Sequence, residues 1–70
     1  MRLQKRLEFQ ETSEARDFVV AALKAGIIRI AWDATKVRIV IEDEAKKAVV
    51  DGLVAEHKAK VTSDWGDNVS

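Results

Sequence analysis

Seventy residues with twelve basic and twelve acidic side chains make one small domain of zero formal net charge, which argues against a dedicated nucleic-acid binder built on a large basic excess. The chain has no cysteine, so disulfide staples and thiolate metal sites are excluded. It also lacks a run of about 18 apolar residues that would span a membrane. The charge is unevenly spread: residues 1–41 carry eight Lys/Arg against five Asp/Glu, and residues 42–70 carry four against seven.

The opening MRLQKRLEFQ has the charge of a signal n-region but no apolar h-region, and the expectation is an unprocessed, cytoplasmic protein. Leu3, Leu7 and Phe9 fall on one face of an alternating segment, and Arg2, Gln4, Arg6 and Glu8 on the other, which is the strand period. Lys5 interrupts the apolar face. Either it is an edge residue whose stem is buried and whose ammonium reaches water, or the strand is only half covered.

TSEARDFVVAALKAG then supplies Thr12 or Ser13 as a cap, an acidic first turn, and Ala15, Phe18, Val19, Ala22 and Leu23 at helical spacing. Lys24 suits the last turn and Gly26 suits the C′ stop, so a helix is expected over about 13–25.

In GIIRIAWDATKVRIVIEDE, Ile28, Ile30 and Trp32 alternate with Arg29 and Ala31, and Val37, Ile39 and Ile41 alternate with Arg38 and Val40. Two β-branched runs about DATK read as a hairpin in which Trp32 faces Val37, Ile30 faces Ile39 and Ile28 faces Ile41. A slip of one residue would turn all six apolar side chains to the opposite face, so the pattern pins the register. Ala-Thr is a poor pair for a two-residue turn, which favours a four-residue loop, Asp33–Lys36.

EDEAKKAVVDGLVAEHKAK begins with Asp43 as N-cap and Glu44 in the first turn, and carries an apolar stripe of Ala45, Val49, Val50, Leu53 and His57. Gly52 within this helix costs about 1 kcal/mol relative to Ala, a cost that close packing on a sheet would explain. Residues 61–65, VTSDW, either add a short fourth strand or fray, and the polar composition favours a frayed end. The expected organisation is a single domain over 1–60 with a flexible or loosely packed tail over 61–70.

The expected fold is therefore α+β: a β-α-β-β-α two-layer sandwich, with a three-stranded sheet in the order 1-3-2 and both helices on one face. This is the ferredoxin-like split βαβ layout lacking its last strand. The helices are expected to bury Ile28, Ile30, Trp32, Val37, Ile39 and Ile41 under Phe18, Val19, Leu23, Val49 and Leu53. In element order, length and the late Asp64-Trp65 pair, the chain resembles the DinI family of small RecA modulators. The resemblance covers element order alone. That family's strongly acidic final helix has no counterpart here, since residues 45–60 hold four basic and two acidic side chains, and no residue role carries over.

The remaining sheet face carries Arg2, Gln4, Arg6, Ile27, Arg29, Ala31, Arg38, Val40 and Glu42, with no element left to cover it. An open antiparallel face is often merely solvated. Read as a contact surface, its candidate binding residues are Arg6, Ile27, Arg29, Arg38 and Val40. Arg29 and Arg38 are expected to lie diagonally across the hairpin, within reach of one shared anion. No aromatic points outward there, which argues against stacking of RNA bases on the sheet. Val20, Ala21, Ala25, Val54 and Val61 lie off the main helical stripes and form a lesser candidate surface.

Catalytic chemistry has little to work with. His57 is the only histidine, a hydroxyl nucleophile would have to come from Ser13, Thr35, Thr62 or Ser63, and no phosphate-cradling glycine loop exists. His57 with Glu56 or Asp64 matches no strong metal template. The acidic run Glu42–Glu44 is accounted for by its place before a helix N-terminus. No catalytic residue, metal or cofactor is expected. The partner expected is a protein, with nucleic-acid backbone or a second copy of the chain as the alternatives, and no membrane. The size and plainness fit an accessory factor, such as a small phage or mobile-element protein that modifies a host machine, or a small subunit.

Overall fold

The computed structural model describes residues 2–67. Alternating side chains at the N-terminus form β1 (Leu3–Glu8) and are followed by α1 (Thr12–Lys24), the hairpin strands β2 (Arg29–Asp33) and β3 (Lys36–Ile41), α2 (Ala45–His57) and β4 (Lys60–Asp67). The antiparallel sheet runs β2-β3-β1-β4, so each helix connects two strands that have a third lying between them. The sheet thus has four strands where three were expected. The strand missing from the expected layout is present, and residues 61–67, expected as the start of a tail, make up most of it. The rest of that tail, residues 68–70, lies outside the described residues.

The register expected of the hairpin is found at Trp32↔Val37 and Ile30↔Ile39. β1 lies antiparallel to β3, with Leu3 opposite Ile41 and Leu7 opposite Val37 on the covered face. The core joins Leu7, Phe9, Val37, Ile39 and Ile41 of the sheet side to Ala15, Phe18 and Ala22 of α1 and Val50 and Val54 of α2. Phe18 is fully buried, with the Phe9 ring 5.4 Å away and the His57 ring edge-on at 5.6 Å.

Several expectations are corrected at the ends of elements. The α1 C-terminus forms a Schellman motif: Gly26, at φ +90°, donates its N–H to Leu23 O, and Ile27 donates to Ala22 O. In that motif the residue after the glycine packs back on the last turn. Ile27 is therefore 2% exposed, whereas Ile28 precedes the strand and is 82% exposed. The two isoleucines have exchanged their expected places, and Ile27 leaves the candidate surface. The hairpin closes with the two-residue loop Ala34-Thr35, not four residues; Ala34 accepts a left-handed φ of 54°, and its carbonyl receives the Trp32 indole N–H at 2.7 Å. Trp32 lies on the covered face of an edge strand and remains 43% exposed.

The helix caps and stripes also differ. The N-cap of α1 is Glu11, whose N–H donates to the Glu14 carboxylate at 3.1 Å, not Thr12 or Ser13. The N-cap of α2 is Glu44, although Asp43 still accepts the Ala45 N–H at 2.9 Å. α2 is rotated so that Val50 and Val54 are buried while Val49 is exposed, and Leu23 at the end of α1 is exposed as well. A Cβ added at Gly52 would meet nothing within 4 Å. Close packing therefore does not account for this glycine, and nothing in the structure explains it.

Candidate functional site

Strand alternation divides β1 into two chemistries one residue apart. Lys5 points into the covered face and Arg6 into the open one. On the covered side, the Lys5 ammonium donates to Asp51 of α2 and to Asp64 of β4, each at 2.9 Å, and lies 5.2 Å from the centre of the Trp65 ring. The Trp65 indole N–H donates to the same Asp51 carboxylate at 2.9 Å.

This arrangement depends on a bulge. Gln4 pairs with Gly66 and Arg6 with Ser63, so the single residue Lys5 faces two, Asp64 and Trp65. Burial alone would pull the lysine pKa down. The hydrogen bonds and charges of Asp51 and Asp64 outweigh it, and the net result is a pKa above the ordinary lysine value. The Lys5 hydrogen bond, with the Trp65 main-chain N–H behind it, holds the Asp64 carboxyl below its usual range. The only charged or polar residue buried in the domain's described residues is thus fully partnered.

The open face has the opposite character. Arg6 of β1 and Arg38 of β3 are direct cross-strand partners, and both are exposed. Arg38 is also opposite Ala31, so Arg29 lies diagonal to it as expected, but Arg29 leans on Glu42 at 3.7 Å. Glu42 also takes Arg2 at 3.2 Å. Among the described residues neither Arg6 nor Arg38 has a carboxylate within ion-pair distance.

These two arginines line an open groove of about 440 Å³, together with Ala31, Lys36, Glu8 and Thr62. Val40 is half-buried beside it, opposite Arg29 and Gln4. The groove thus gathers Arg6 and Arg38 alone of the expected residues, whereas Arg29 and Val40 line a separate, smaller depression with Ile27, Glu42 and Lys46. Sequence reasoning missed Thr62 because it is the extra residue of a second bulge, between the β4 partners of Arg6 and Leu7.

Of the hydroxyls considered from sequence, Thr35 shares a cleft of about 680 Å³ with His57, Glu8 and Glu14, and among the described residues no hydrogen bond joins Thr35 to His57. Thr62 lines the open face, while His57 lies against Phe18 under the sheet. Among the described residues no cluster of three His, Asp or Glu side chains is placed to hold a metal, and no helix is long and apolar enough to cross a membrane. No family model matches the chain, and no curated protein or solved structure matches it.

Proposed function

We propose that the chain is a small, non-enzymatic accessory domain that binds a protein partner through its open sheet face, with an acidic segment of the partner lying across Arg6 and Arg38. The observation that carries this reading is the direct opposition of two exposed arginines, neither of which has a carboxylate within ion-pair distance among the described residues. Like charges directly across a sheet are unfavourable, so the pair is a standing cost to the free protein that a bound carboxylate would remove. Arginine's fork suits bidentate carboxylates, and Leu7, Ala31, Trp32 and Val37 give the groove an apolar component.

A nucleic-acid backbone offers the same anionic chemistry. The zero net charge and the acidic Glu8 and Asp33 beside the groove favour a protein over a long polyanion. The test is affinity capture of host proteins by the wild type and by the double variant Arg6→Glu/Arg38→Glu, with circular dichroism to show that the fold persists. Loss of a wild-type partner supports the reading, and equal capture by both proteins removes this face as the site. A mobility shift of DNA or RNA at about 50 mM salt, declining steeply as salt rises, would move the assignment to nucleic acid.

A further inference from the structure

The two edges of the sheet are finished differently. β4 carries two bulges, which disrupt the row of main-chain groups an approaching strand would need. β2 forms the other edge, and its five residues are paired to β3 without a break. It has neither proline nor lysine, the usual protections of an open edge.

The two-residue loop closes on a hydrogen-bonded pair, Asp33 with Lys36. Hydrogen-bonded and open positions then alternate along the strand. Arg29, Ala31 and Asp33 therefore spend their main-chain groups on β3, and Ile30 and Trp32 aim theirs outward from the edge.

We infer that β2 pairs antiparallel with β2 of a second copy of this chain, about a two-fold axis at Ala31. In this register Ile30 faces the partner's Trp32 and exchanges main-chain hydrogen bonds with it, and the symmetric pair does the same. On the open face Arg29 lies opposite the partner's Asp33, twice per dimer. On the covered face the exposed Trp32 gains apolar contact from the partner's Ile30.

Charge selects this register. Moving the axis by one residue, to Ile30 or to Trp32, shifts the register by two and leaves Arg29 or Asp33 facing the partner's Ala31. The small Ala31 side chain at the axis lets the two edges approach. Asp33 has no ion pair among the described residues, and Arg29 has only the 3.7 Å contact with Glu42. The product is a continuous eight-stranded sheet whose two arginine grooves lie on one surface, so the inference goes beyond single-site binding.

Five residues of edge bury far less than the roughly 1,200–2,000 Å² of standard interfaces, so the dimer is weak, with a Kd of about 10 µM to 1 mM. Sedimentation of the full chain up to about 1 mM is expected to show mass rising with concentration. Arg29→Asp, which sets two carboxylates against each other at both sites, is expected to weaken association about tenfold or more. Adding Asp33→Arg restores the opposition of charges and is expected to restore association.

Ala31→Cys, the only thiol in its chain, is expected to form a disulfide-linked dimer in glutathione buffer far faster than Glu56→Cys on the exposed side of α2. A strict monomer at about 1 mM overturns the inference. So does a dimer indifferent to charge reversal, or equal cross-linking at the two positions, since either places the contact elsewhere. Circular dichroism of each variant separates loss of pairing from loss of fold.

Discussion

Lys5 and Arg6 are consecutive residues of one strand, both cationic, and the fold treats them oppositely. Lys5 is buried, and the structure brings it two carboxylates and an aromatic ring from α2 and β4. Arg6 is exposed, and its direct neighbour across the strand is a second arginine. The inner cation ties three elements together and so belongs to folding. The outer one has no ion pair among the described residues, which is why the open face rather than the buried ion cluster is the candidate for contact.

The same substitution at the two positions sharpens that contrast most. Lys5→Glu places a carboxylate beside Asp51 and Asp64 at a side-chain position that is only 7% exposed. A buried charge left without a partner costs about 3–5 kcal/mol, a large share of the stability of a 70-residue domain. Urea denaturation is expected to show the variant largely unfolded at room temperature. Lys5→Met keeps the buried stem and removes the charge. Its two former partners are 48% and 77% exposed and rehydrate in place, so the expected loss is below about 1.5 kcal/mol. If the methionine variant were as damaged as the glutamate variant, the cluster would be acting through shape rather than charge.

Proton linkage tests the inner cluster without a change in the core. Lys5 titrates above its ordinary 10.5, so its contribution is complete below pH 10.5 and is lost as the pH rises through the folded-state value. Asp64 titrates below its ordinary 3.8, so its contribution is present above that pH and is lost as the pH falls through the folded-state value. Asp64→Asn is expected to be less stable than the wild type across the neutral range. The gap should stay flat between those limits and close in acid as the wild-type carboxylate protonates. Chemical denaturation at a series of pH values measures it, and a gap that persists once the wild-type carboxylate is protonated would show that Asp64 acts through something other than its charge.

What the sequence made legible follows the same division. Residues set by regular alternation were readable: the pairing of Trp32 with Val37 and of Ile30 with Ile39, the place of β1 beside β3, and the open position of Arg6, Arg29 and Arg38. Residues set by irregular backbone were not. Ile27 continues the strand pattern in the sequence, yet its main chain is held by the helix before it through Gly26, which turns its side chain inward. β4 has no readable period because its two bulges double residues on a face and most of its side chains are exposed. One signal did point to it. Lys5 on an otherwise apolar face requires a counter-charge, and Asp64, four residues into VTSDW, is the carboxylate that only a paired fourth strand brings to it.

The smallest effect is the most diagnostic for the open face. Arg6→Glu, one residue from the most damaging substitution, replaces a like-charge pair with an opposite-charge pair across the Arg6–Arg38 rung. Cross-strand pairs of this kind are worth about 0.2–1 kcal/mol, so the variant is expected to be slightly more stable than the wild type in urea while losing its partner. A gain in stability coupled to a loss of binding is the signature of a residue kept for contact at the expense of the fold. If Arg6→Glu instead lowers stability, Arg6 is satisfied within the chain, the opposition with Arg38 carries no cost, and the argument for a bound carboxylate on this face loses its physical basis.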